Sequence, residues 1–415
     1  MEIKQTFWNY IGFPYYGDKT NGEGDSIWKH YTLSEIVADW HKLGFNYPMS
    51  FVYDGKSKSD VKTGEKYQDP SDVIALLDEC GKYGMKVILS DRRVNMKTLA
   101  EVGEERFREG VKKSLSEFGS HSAVYAYYIG DEPGSIEALD NAAKTSRIVK
   151  EYAPNVETYL NHLPVALDPN IQISDSYMLA GGYEKYVDDA KTGILGYDNY
   201  AAMAVYNKEK FIDDWFANLR ILGEAARRKG VELFCCPNSM SFDCIRVPSE
   251  DDARWLISAH VASGATGLAW FQLYQNSWDT GTWYGAPYDT HFERTPTFDV
   301  LKRQIRLFTE NQGAVLKNYD FVWAKHFNKS YGGFEPFNGD DGFSEIKCEV
   351  NEVPLVITKL RHKEGYYGYA ITNISQTERT LVKATFIGED GKPVTLKKWL
   401  MPGQMTLQLK GPWLF

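Results

Sequence analysis

The chain is poor in the residues that staple or metallate small proteins, with five cysteines and eight histidines in 415 residues. Five is odd and no pair has metal-ligand spacing, which argues against a disulfide framework or a cysteine-ligated metal and fits reduced thiols. Adjacent Cys235 and Cys236 fall in a strand-like run and read as small buried hydrophobes. Basic blocks are missing and the net charge is −9, so nucleic acid and anionic membranes are set aside as partners and a neutral substrate is the easier fit. No apolar run approaches the roughly 18 residues of a membrane span, and the opening "MEIKQTFWNY" lacks the charged-then-apolar pattern of a leader. The expectation is a cytoplasmic protein, or a secreted one whose leader is absent from this sequence. There is no glycine-rich phosphate loop, no histidine-rich cluster and no Gly-x-Ser-x-Gly elbow, which argues against kinases, dinucleotide enzymes and serine esterases. Neither a cofactor nor a metal is expected, and nothing in the sequence reports the oligomeric state.

What is present is apolar and aromatic material, 43% and 14% of residues, enough for a large core and a second small one. Eight short β-like runs alternate with helical patterns up to about Gln312: "TFWNYIGF", "FNYPMSFVYD", "KVILSDRR", "VYAYYIGDEP", "ETYLNHLPV", "ILGYDNYAA", "ELFCCPNSM" and "GLAWFQLY". Between them, Phe211, Trp215, Leu219 and Leu222 recur at the three-and-four spacing of one buried helix face, as do Leu301, Ile305 and Phe308. Strand then helix, eight times over some 300 residues, is the pattern of a (β/α)8 TIM barrel, expected over residues 1–316. From 317 to 415 the texture changes to alternation punctuated by turn residues, the pattern of a small antiparallel β-sandwich.

In such barrels chemistry sits at the C-terminal ends of the strands. The fourth run ends in Asp131, Glu132, Pro133 and Gly134, where two neighbouring acids follow an apolar, aromatic strand. A carboxyl with a raised pKa at a barrel mouth can give a proton to the leaving oxygen of a glycoside, and a second group can steady the positive charge on the sugar. The competing reading makes Glu132 an N-terminal cap for the helix starting near Ser135. Other strand ends supply Asn9, Asp54, Asp91, His162, Tyr197, Tyr200, Asn238 and Gln272 as candidate substrate contacts. Asp198, in "GYDNY", is a third acid that either joins the chemistry or ties loops together. The loop after the eighth run carries Trp278, Trp283, Tyr284 and Tyr288 among glycines and prolines, suited to stacking on apolar sugar faces or to packing on the rim.

"YYIGDEPG" at the end of a fourth strand, with a trailing β-sandwich, resembles the acid-bearing motif of the (β/α)8-barrel glycoside hydrolases. The resemblance covers the whole chain in architecture and about four residues in motif. It implies a carbohydrate substrate and makes Glu132 the general acid, in the place where the large retaining clan has Asn-Glu and this chain has Asp131 then Glu132. That clan carries a nucleophilic Glu after strand seven, where "CCPNSMSF" offers Asn238 and no acid. The resemblance therefore leaves two mechanisms. In one, Asp131 holds an acetamido group and the sugar supplies the nucleophile, as in several hexosaminidase families. In the other, Glu132 or Asp131 pairs with Asp198 across the mouth. A barrel that binds carbohydrate without cleaving it is the alternative class.

Overall fold

The computed structural model describes residues 1–17, 26–165, 181–205, 208–275, 283–387 and 391–409. Seven strands form one parallel sheet: β1 (Lys4–Phe7), β2 (Val87–Leu89), β3 (Val124–Asp131), β4 (Glu157–His162), β5 (Ile194–Asp198), β6 (Glu232–Cys236) and β7 (Gly267–Trp270). Their spatial order is β1-β7-β6-β5-β4-β3-β2, every neighbouring pair parallel. The gap between β1 and β2 is closed by residues 46–53. Asn46 and Tyr47 donate to Gln5 O on one side, while Ser50 donates to Ile88 O and Tyr53 to Ser90 O on the other. Pro48 lacks an N–H and restrains the residue before it, so this eighth stave pairs through scattered bridges instead of a regular ladder. A helix follows each stave: Leu33–Leu43, Pro70–Lys82, Glu104–Ser114, Ile136–Tyr152, Tyr183–Ala190, Lys208–Lys229, Glu250–Ala262 and Pro296–Phe308. The (β/α)8 barrel expected from the sequence is the fold observed.

Alternation along the strands sorts side chains into two cores. Trp8, Met49, Ile88, Ala126, Tyr159, Ile194, Phe234, Cys236 and Ala269 fill the barrel interior. Their sequence neighbours, such as Leu89, Tyr127, Leu160, Leu195, Leu233 and Leu268, pack outward against the helices. Because both sides of each strand are buried, the strands are apolar throughout. The interior is tight enough to require small residues: a Cβ on Gly196 would lie 2.3 Å from the Tyr159 ring and 2.8 Å from Leu160 O.

Seven further strands follow in two antiparallel sheets: β8 (Tyr319–Phe327), β9 (Phe343–Val350), β10 (Leu355–His362), β11 (Tyr367–Asn373), β12 (Thr380–Ile387), β13 (Pro393–Leu400) and β14 (Met405–Gln408). The orders are β14-β11-β10-β8 and β13-β12-β9. Leu355 and Ile357 of β10 face the three-stranded sheet, packed with Phe343, Val382 and Phe386. Val356 and Leu360 face the barrel and join its outer core. The seam is also hydrogen-bonded: Trp255 Nε1 donates to Ile374 O at 2.9 Å and Thr358 Oγ1 to Ala262 O at 2.6 Å. The four-stranded sheet is thus the middle layer, which explains why "LVIT" in β10 does not alternate.

Candidate active site

The acids of β3 reach the barrel mouth through a break in the ladder. Tyr128 pairs with Tyr159 of β4, but the next pair is Gly130 with Leu160, so Ile129 is an extra residue. Such a bulge inverts the alternation beyond it. Asp131 comes into register with Asn161 and turns inward with it. Gly130 is needed there because a Cβ would fall 2.7 Å from Met96 Sδ. Glu132 keeps one more ladder bond, its N–H donating to Asn161 O at 2.8 Å, while its φ of 44° lies in the left-handed region. That conformation is unfavourable for a side chain with a Cβ. It lets Glu132 and Asp131 address the same cleft, which a straight strand forbids. Ser135 caps the following helix, accepting from Ala138 N at 3.1 Å. Capping is therefore not what Glu132 does.

Asp198, at the end of β5, is 5% exposed and hydrogen-bonds with Glu132. Asn161 Nδ2 bridges the acids, lying 3.1 Å from Asp131 Oδ1 and 3.1 Å from Asp198 Oδ2. Burial pushes the Asp131 carboxyl up to about 6, with the Glu132 charge adding to it and the Asn161 hydrogen bond opposing. Asp198 is held well above the usual carboxylate range, first by burial and then by the Glu132 charge and hydrogen bond. Two carboxyls in hydrogen-bond contact cannot both ionise cheaply, so the group retains a proton where water-exposed acids would not. A cavity of about 220 Å3 lies against Asp131 and Glu132, lined also by Met96, Lys97, Pro133 and Asn141.

Aromatic side chains surround the acids. Tyr10, 38% exposed, stacks on Trp8 with ring centres 6.0 Å apart and meets Phe271 edge-on at 6.4 Å. Tyr200 packs on Phe242 and Phe271, its hydroxyl 3.2 Å from Cys236 Sγ. Trp283 extends this wall through Phe242 at 5.5 Å and Phe271 at 6.0 Å. Trp278 lies outside the described residues.

The remaining candidates from the sequence are not brought to the acids in the same way. Asp91 is 2% exposed, and its oxygens accept from Arg93 N, Nε and Nη2 and from Ser114 Oγ. His162 points outward between Tyr183 and Tyr186, its Nδ1 2.8 Å from Gly196 O, and burial lowers its pKa to about 4. Tyr197 is outward too, in the core beneath the helices. Asn238 ties its own loop, donating to Met240 O and Arg246 O. Asp54 accepts from Lys56 N and from the Tyr15 hydroxyl. Asn9 is 3% exposed and accepts from Ile11 N. Gln272 is buried, its main-chain carbonyl taking the Ser239 hydroxyl. Asn161 and Tyr10 also end strand-like runs in the sequence, where nothing local singles them out over their neighbours His162 and Asn9. The signal for Asn161 was its place at a strand end beside Asp131's strand, which becomes legible only with the register.

No protein-family model matches the chain, and no curated relative does. Solved structures do match. One described as "Glycoside hydrolase" aligns over 100% of this chain and 90% of its own at 9% identity, with a TM-score of 0.55. A β-galactosidase from the psychrophilic Marinomonas ef1 aligns over 74% of this chain and 60% of its own at 10% identity, TM-score 0.51. A β-galactosidase from Rahnella sp. R3 aligns over 72% and 58% at 12% identity, TM-score 0.50. The chain thus spans about 60% of the length of these two galactosidases. At such identities the likeness is one of fold: the barrel with a β-sandwich is shared with glycoside hydrolases, and the specific family is not identified.

Proposed function

We propose that the chain is a glycoside hydrolase in which Glu132 gives its proton to the leaving oxygen and Asp131 assists from the same side of the sugar. The carrying observation is the bulge with the left-handed Glu132, which directs two successive carboxyls into one cleft above a buried third. A carboxyl retaining its proton near neutrality is what general acid catalysis needs. Asn161 donates to one Asp131 oxygen; in substrate assistance on a 2-acetamido sugar the other accepts from the acetamido N–H. The aromatic wall of Tyr10, Tyr200, Phe271 and Trp283 offers faces for stacking.

A second reading pairs Glu132 with Asp198, favoured by their hydrogen bond. That contact is closer than the roughly 5 Å a retaining pair keeps around a sugar, so Glu132 would have to swing outward for substrate to enter. The deciding experiment is turnover of 2-acetamido and 2-hydroxy aryl glycosides by wild type, Glu132→Gln, Asp131→Asn and Asp198→Asn. The expected result is hydrolysis of 2-acetamido substrates that Glu132→Gln lowers by about 10²- to 10⁴-fold and Asp131→Asn also impairs. Activity confined to 2-hydroxy sugars, lost in Asp198→Asn and retained in Asp131→Asn, installs the second reading. Sugar binding with no hydrolysis of any glycoside refutes both.

A further inference from the structure

Asn161 is the neutral member of the acid cluster, and its placement is over-determined. It lies inside the barrel, 1% exposed, in register with Asp131 on one side and Gly196 on the other. A primary amide nitrogen carries two hydrogens, and here one points to a carboxyl of β3 and the other to a carboxyl of β5, at 3.1 Å each. Its Oδ1 is buried without a hydrogen-bond partner. A buried acceptor left unmade costs free energy, so the amide is oriented by the acids and not by its own oxygen. Turning it over would aim lone pairs at both carboxyls.

The groups facing these acids are few. Asp131 is faced by Glu132 and by Lys97, and Asp198 by Glu132 and Asp131. Around them stand the phenols of Tyr10, Tyr128, Tyr159 and Tyr200 and the thiol of Cys236, all driven by burial far toward their neutral forms. We propose that Asn161 is a positioning residue: its amide clamps Asp131 and Asp198 by one hydrogen bond each, and so confines the cluster's shared proton to the contact between Asp198 and Glu132, the exposed group. Each donated bond favours the anion that accepts it. Being uncharged, the donor adds no cationic field of its own to that of Lys97.

The consequence for turnover rests on the glycoside hydrolase reading; the titration does not. The test is a carbon-13 NMR titration of aspartate carboxyls in wild type and Asn161→Leu, with Asp131→Asn and Asp198→Asn spectra assigning the signals. Loss of a hydrogen bond to an ionised acceptor should raise both titrations by about one pH unit. In Asn161→Leu that turns over substrate, the acidic limb of the kcat/KM profile should move up with them. Movement of one aspartate alone, or of neither, in a folded variant overturns the clamp, and an unmoved pH profile beside moved titrations overturns the proton assignment. If Asn161→Leu fails to fold, Asn161→Ser serves: one hydroxyl hydrogen cannot hold two acids, so at least one titration must rise, and neither rising is again a refutation. Raised titrations in a protein that cleaves no glycoside leave the clamp standing and remove the hydrolase reading.

Discussion

Replacing Asp131 by asparagine should make the protein more stable at neutral pH and no more stable in acid. The asparagine oxygen can still accept from Asn161 Nδ2, so the geometry of the bridge is kept. What disappears is a buried negative charge. In the folded state the Asp131 carboxyl titrates at about 6 against an ordinary 3.8, because burial outweighs the Asn161 bond. The native state therefore holds this proton more tightly than the unfolded chain does. The destabilisation is absent below pH 3.8, grows between 3.8 and 6, and is complete above 6. At 1.36 kcal/mol per pH unit the displacement amounts to about 3 kcal/mol. Unfolding entropy of about 2.1 cal/mol/K per residue over 415 residues turns that into a rise in Tm of about 3 °C. Differential scanning calorimetry from pH 3.5 to 7.5 measures it. A variant less stable than wild type at pH 7.5, or a difference that does not change across that range, refutes the reasoning.

Gly196→Ala should be strongly destabilising, since the added methyl meets both the Tyr159 ring and the Leu160 carbonyl inside the barrel; overpacking costs about 1–3 kcal/mol, and a denaturant midpoint equal to wild type would contradict the packing. Deleting residues 317–415 should yield insoluble or unfolded protein, because it strips the helix Glu250–Ala262 of its apolar cover and of the bonds from Trp255 and to Ala262 O. A soluble, active truncation would show that the barrel needs no such support.

The eight staves, their helices and the change to antiparallel strands were legible because hydrophobic period and turn residues report them directly. Which strand-end residues face the mouth was not. In "ETYLNH" both Tyr159 and Leu160 are apolar because barrel strands are buried on both sides, so nothing local says that Asn161 turns in and His162 out. The same ambiguity makes Tyr197 and Asp91 look equivalent to Asp198 in the sequence, although they lie on the helix side of their strands. Parity on β3 was harder still. Without the bulge at Ile129, Asp131 would point to the helices and Glu132 inward; a glycine inside the strand, Gly130, was the trace of it.

At the acids several local rules fail together. A left-handed glutamate costs on the order of 1–3 kcal/mol, a bulge removes ladder pairing, and Asp131 and Asp198 converge with it where burial opposes their charge. Only the burial is partly offset, by the Asn161 amide that donates to Asp131 and Asp198. The helix that Glu132 could have capped is capped by Ser135, and the Glu132–Asp198 contact exists only because Asp198 is itself held in an unfavourable protonation state. A glycine at 132 with apolar residues at 131 and 198 would relieve the backbone strain and the buried charge. Under the proposed function each component has a use: the bulge aims Asp131, the left-handed turn aims Glu132, and the buried acid keeps a proton within reach.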